Sequence, residues 1–120
     1  RMPNINAALL LAQLQKLNYF LKNKRELAKK YQIFFKDTDI HFFEEPKHCK
    51  SNFWLNVIVL KNKSMRDQFL KKTNFNGIMT RPAWILMNKL PMFKNTQSDN
   101  LKNAKWLSDR VVNIPSSVTL

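Results

Sequence analysis

From Asn4 to Phe35 the sequence contains neither glycine nor proline, and this uninterrupted stretch constrains the fold more than any other. Pro3 precedes it, and Asn4 or Asn6 can cap the free N–H groups of a first helical turn. The pattern predicts one long helix over about 4–35. Its first half, Ala7 to Leu14, is apolar on most sides. Its second half is one-sided: Leu17, Leu21, Ala28 and Tyr31 recur at helical steps, while Lys22, Lys24, Arg25, Lys29 and Lys30 cover the rest. A helix that is apolar all round at one end is expected between two layers. In a chain of 120 residues one of those layers is expected to be another domain or subunit.

Asp37 to Asp39 breaks the helical pattern, and Ile40 to Phe43 reads as a strand before a turn at Pro46. Ser51 to Leu60 is the strongest strand signal. Phe53, Leu55, Val57 and Val59 alternate with Trp54, Asn56, Ile58 and Leu60, both sets are largely apolar, and a central strand follows. Trp54, inside this apolar run, is expected in the core. Ser64 and Asp67 carry a capping signature for a helix over Met65–Thr73 that buries Met65, Phe69 and Leu70. Asn76-Gly77 turns the chain into a short strand over Ile78–Thr80. Lys94 to Asn100 is a surface loop; Asp99 or Asn100 caps a last helix with Leu101, Ala104, Leu107 and Val111 inward; Pro115 ends regular structure. The expected fold class is α/β, a small sheet packed with helices, in one domain.

Gly77 is the only glycine, which excludes the glycine-rich loops of nucleotide-binding strands and nucleophile elbows. The apolar run Ala7–Ala12 is too short to span a membrane and lacks a signal-peptide pattern, so no membrane partner is expected. The first residue is Arg1, without an initiator Met, which is expected of a fragment or a trimmed end. A single cysteine, Cys49, allows no internal disulfide and fits a reducing, cytoplasmic setting. His41, His48 and Cys49 are near neighbours, but three ligands without a second cluster match known zinc spacings poorly, so no metal is expected. The net charge of +13 suggests a polyanion as partner. Against this, the excess is mostly lysine spread from Lys16 to Lys105, without the interleaved Arg and exposed aromatics usual at nucleic-acid sites.

Arg81 is the leading candidate for a site. Pro82 holds it extended, Trp84 is close, and a guanidinium grips carboxylate or phosphate through two parallel hydrogen bonds. The alternative is an arginine stacked on Trp84 at the surface. Trp84 and Trp54 can stack a base or a sugar, and Ser51 and Asn52 either face a ligand or cap a turn. No nucleophile–base–orienter trio is visible, so no catalytic residue is assigned within the chain.

Short segments in order along the whole chain resemble one family. They are Arg1-Met2-Pro3-Asn4-Ile5-Asn6-Ala7-Ala8, Ala12-Gln13-Leu14 and Lys24-Arg25-Glu26-Leu27-Ala28, then Ser51-Asn52-Phe53-Trp54-Leu55-Asn56. Gly77-Ile78-Met79-Thr80-Arg81-Pro82 with Trp84, Leu90-Pro91-Met92 and Val112-Asn113-Ile114-Pro115-Ser116 complete the set. The pattern resembles the C-terminal small domain of DegT-type nucleotide-sugar aminotransferases. It is most similar to the branch that aminates C4 of UDP-linked keto sugars on routes to legionaminic acid or bacillosamine.

The resemblance implies a fold-type I aminotransferase in which residues 1–120 form the C-terminal small domain and 4–35 an interdomain helix. It implies pyridoxal phosphate held mainly by a large N-terminal domain, glutamate and a nucleotide sugar as substrates, and a homodimer with shared active sites. Arg1 matches the arginine of a segment that reaches the partner subunit's site, so it is expected at the phosphates of cofactor or UDP-sugar. Arg81 is expected to bind the glutamate carboxylate or the sugar diphosphate, and Trp84 to wall the sugar pocket. The family's cofactor lysine and the aspartate facing its pyridine nitrogen have no match in this sequence, so the chain alone is expected to be inactive. The alternatives are a stand-alone basic α/β module that binds RNA or another polyanion, and an interaction domain that dimerises through its first helix.

Overall fold

The computed structural model describes residues 1–118. A four-stranded antiparallel sheet has the order β1 (His41–Phe42), β2 (Asn56–Val59), β4 (Val111–Ile114), β3 (Arg81–Pro82). Four α-helices accompany it: α1 (Asn4–Gln15), α2 (Leu17–Phe35), α3 (Lys63–Phe75) and α4 (Lys102–Ser108). This is the small helix-packed sheet expected from the sequence.

The core follows from one row of register partners. Phe42 lies opposite Ile58, Ile58 opposite Val112, and Val112 opposite Pro82. Because side chains alternate along a strand, Leu60 and Ile114 share that face with Ile58 and Val112. Ala28 and Phe35 of α2 close over it, joined by Tyr31, and Phe69 and Leu70 of α3 pack against the same cluster. Ile58 and Val112 are fully buried, each contributing about 1.5–3 kcal/mol of transfer free energy. The Phe35 and Phe42 rings stack at 6.4 Å. Burial raises the pKa of the Tyr31 phenol, which donates to the Pro115 carbonyl at 3.1 Å.

The expected single helix over 4–35 is divided at Lys16. Its N–H reaches back to the Gln13 carbonyl at 3.1 Å, a tight 3₁₀ turn, and α2 starts afresh with Phe20 N–H bonded to Lys16 O. Lysine favours helix, so propensity does not cause the break. Every residue of α1 is exposed, including Ile5, Leu9, Leu10, Leu11 and Leu14. The apolar collar is therefore bare.

Other differences have local causes. β2 starts only at Asn56, because Phe53 sits at φ 47°, in the left-handed region, and interrupts the extended run. Trp54 is thus thrown out of the alternation and is 66% exposed rather than in the core. α3 is capped by Asn62, whose Oδ1 accepts from Met65 N–H at 2.9 Å; Ser64 and Asp67 lie inside the helix. Met65, the third residue of the helix, is exposed. The strand expected over 78–80 forms one step later, at Arg81–Pro82. Val111, expected on the last helix, belongs to β4, a strand the helical pattern of its neighbours concealed.

Ser116 extends the β2–β4 ladder with its side chain. Its hydroxyl donates to Ile114 O at 2.8 Å and accepts from the buried Asn56 N–H at 2.7 Å. Ser116→Ala strands that N–H, and urea unfolding is expected to show a loss of about 1–3 kcal/mol. An unchanged midpoint and slope would mean the hydroxyl closes nothing.

Candidate functional site

The position of Arg81 is built from the end of α3. Asn76 caps the helix and Gly77 follows at φ 75°, a left-handed turn that strains any residue with a side chain. Gly77 N–H bonds to Asn74 O at 3.1 Å and Ile78 N–H to Thr73 O at 2.9 Å, the two reciprocal bonds of a Schellman ending. The chain then returns along its own helix. Asn74 reads the returning backbone: its Nδ2 donates to Thr80 O at 3.0 Å, and its Oδ1 accepts from Thr80 N–H at 3.4 Å. The Thr73 and Thr80 hydroxyls meet at 2.6 Å, with Thr80 buried. On the other side Asn113 of β4 lies opposite Arg81 and donates to Pro82 O at 3.2 Å.

Arg81 is thus fixed through its backbone while its side chain stays exposed. Its guanidinium meets only the Met79 sulfur, at 3.5 Å, among the described residues. A guanidinium with no carboxylate beside it has its forked donors available for an anion.

Trp54 and Trp84 stand beside it, their rings stacked at 6.4 Å with planes inclined by 30°. Two adjoining recesses, of about 510 and 320 Å³, share Trp54, Leu55, Arg81 and Asn113. A recess of similar size, about 500 Å³, lies between the end of α2 and β1, but no arginine lines it. Volume therefore does not select the site; the free guanidinium and the aromatic pair do.

The other expected residues are apart from this recess. Ser51 and Asn52 border a separate hollow with Asn18, Leu21 and Arg25. Ser51 Oγ accepts from Phe53 N–H and Asn52 Oδ1 from Trp54 N–H, each at 3.0 Å, so both side chains cap turns. Arg25 donates to Ser51 O. Arg1 is exposed ahead of α1 and does not line the Arg81 recess. Arg81, Trp84 and Trp54 are brought together; Arg1, Ser51 and Asn52 are not.

Lys24 and Asn113 were not singled out in the sequence. Lys24 Nζ donates to Ser116 O at 2.6 Å and to Trp54 O at 3.4 Å, tying α2 to the two segments that frame the recess. It lies within the family-like Lys24–Ala28 segment, but nothing in that string says which carbonyls it meets. Asn113 belongs to the strand that was missed.

The recess has what one wall of a cofactor or substrate site requires: a free guanidinium and aromatic faces. Among the described residues Lys24 is the only lysine lining it, and two backbone carbonyls meet its ammonium group. The residues present fit the wall of a site for an anionic group with a flat ring.

A family-wide sequence pattern, that of the DegT/DnrJ/EryC1/StrS aminotransferases, matches residues 1–120. The chain belongs to that family. Among curated relatives, the GDP-perosamine synthases of Vibrio cholerae and Escherichia coli O157:H7 are each 28% identical, over 97% and 100% of this chain. The chain spans 32% of the length of each. The solved structure of the Streptococcus pneumoniae sugar aminotransferase Spr1654 in its PLP form matches all of this chain and 32% of its own, with TM-score 0.91 and 20% identity. Helicobacter pylori PseC, an aminotransferase involved in pseudoaminic acid biosynthesis, matches 96% of this chain and 32% of its own, with TM-score 0.86 and 21% identity. At such identities the structures establish the fold alone, the small α/β arrangement of helices on a sheet described above.

Lys24→Met keeps the aliphatic stem and removes both bonds to the frame. Hydrogen exchange is expected to quicken at the Trp54–Asn56 and Ser116 amides while α3 keeps its protection. Equal loss in α3 would show that Lys24 supports the whole fold and not the recess.

Proposed function

We propose that the protein carrying this chain is a pyridoxal-phosphate-dependent aminotransferase that moves an amino group from glutamate to C4 of a UDP-linked keto sugar. The observation that carries this reading is Arg81: a backbone clamped on both sides, a guanidinium with no acidic partner among the described residues, and two indoles beside it. Bound elsewhere in the protein, the cofactor supplies the chemistry of amino-group transfer. The described residues supply orientation and charge.

In this reading Arg81 binds an anionic group of the substrate, either the glutamate carboxylate or the sugar diphosphate. Trp84 walls the pocket. Ser51 and Asn52 hold the turn that carries Trp54. The bare apolar surface of α1 packs on a large domain or on a second subunit of a homodimer. Arg1 then reaches the phosphates of cofactor or UDP-sugar in the neighbouring site. The exposed thiol of Cys49 suits a reducing cytoplasm. No helix among the described residues is long and apolar enough to cross a membrane.

The UDP group rests on the sequence resemblance. The curated relatives above are named for a GDP-linked sugar, so GDP-linked 4-keto sugars are the competing acceptors to assay.

The test uses the complete protein. Arg81→Ala is expected to lower kcat/KM for amino transfer by about 10- to 100-fold, the loss of hydrogen bonds to a charged partner. The cofactor absorbance is expected to persist, because the arginine is assigned to substrate. Unchanged turnover and KM for both substrates would remove Arg81 from the site.

A further inference from the structure

Trp54 is exposed although several devices fix its backbone. Phe53, just before it, is held at φ 47°, a left-handed conformation that costs a residue with a side chain roughly 1–2 kcal/mol. The Asn52 side chain holds Trp54 N–H, and Lys24 reaches Trp54 O across from α2. Strain of this kind persists only where the surroundings over-determine it. Here the result is an indole 66% exposed, against a second indole, Trp84, that is 71% exposed. Burying either ring would gain far more than leaving both in water. The pair therefore has the form of a prepared stacking surface.

We propose that the Trp54–Trp84 pair stacks the nucleobase of a nucleoside-diphosphate ligand, with Arg81 taking the diphosphate. The inference rests on the functional reading above and specifies which part of the substrate the indoles contact. Ring and charge choose the ligand together. An indole face binds flat π-systems, and a stacked base is sequence-tolerant because every base has a π-face. The guanidinium beside the indoles, which meets no carboxylate among the described residues, calls for an anion at the edge of the same ring system. A nucleoside diphosphate carries a planar base at one end and two phosphates at the other. The recess of about 510 Å³, bordered by Trp54, Trp84, Arg81 and Pro82, falls within the range of small-molecule sites. A pyranose meets an indole only through its C–H faces and not through a π-system, and pyridoxal phosphate is planar and anionic but smaller.

Lys24 then acts as a positioning residue. It touches no ligand and sets the Trp54 carbonyl, and through it the indole.

The experiment measures dissociation constants on the complete protein by calorimetry, for UDP, GDP, glucose 1-phosphate and pyridoxal phosphate. Trp84→Ala is expected to weaken UDP and GDP about 10- to 100-fold, the span of base–aromatic stacking. Trp84→Phe is expected to recover most of that loss. Glucose 1-phosphate, which has phosphate but no base, is expected to bind weakly and to ignore both substitutions. Trp54→Ala is expected to act in the same direction as Trp84→Ala. Both side chains are exposed, so circular dichroism of the variants should match the parent.

Nucleotide affinity within twofold of the parent in Trp84→Ala would overturn the proposal. So would a loss confined to glucose 1-phosphate, which would make the pair a sugar platform. A loss confined to pyridoxal phosphate would place the cofactor ring there instead and equally overturn it. Amino transfer by the unmutated protein is assayed separately. Its absence, with nucleotide binding and its tryptophan dependence intact, would sink the aminotransferase reading and leave the stacking surface standing.

Discussion

The pairing of Val111–Ile114 between Asn56–Val59 and Arg81–Pro82 is the constraint on which the rest of the structure depends. Through Val112 and Ile114 this strand buries the core against α2 and α3. Through Asn113 it holds the carbonyls beside the site, and past its end Ser116 receives both the Asn56 N–H and, at its own carbonyl, the Lys24 ammonium. The segments bearing Arg81 and Trp54 are neighbours in space because each is attached to a different side of β4. Core and recess are thus two consequences of one ladder.

The arrangement is also unequal. One side of the molecule is closed by helices, whereas α1, Trp54, Trp84 and the Arg81 guanidinium are exposed. A clamped arginine without an acid among the described residues and a strained turn carrying an exposed tryptophan are costly unless something meets them. Within the family shown by the sequence pattern, the account assigns them to the wall of a larger site.

Much of this was legible in the residues, for identifiable reasons. The period-two run before Leu60 gave the central strand, because burial on both sides of a sheet leaves an apolar string. Asn76-Gly77 gave the turn, because only glycine enters that left-handed ending without strain. Arg81 before Pro82 gave an extended, exposed arginine, since proline restricts its predecessor to extended backbone. What escaped was set by contacts across the chain. The strand at Val111–Ile114 follows directly on a helix, so its periodicity was absorbed into the helical one. The exposure of Trp54 depends on one backbone angle at Phe53, which hydrophobicity does not encode. Lys24, one lysine among many on α2, is distinguished only by the two carbonyls it meets. The break at Lys16 has no residue-type signal at all.

The central claim is that these residues line a reactive centre whose cofactor lysine lies outside them. It is tested most directly by loading the complete protein with pyridoxal phosphate, reducing with borohydride and mapping the labelled lysine by mass spectrometry. The account predicts one stoichiometric label, on a lysine outside residues 1–120. A stoichiometric label on Lys24, or on any other lysine of this chain, would contradict it.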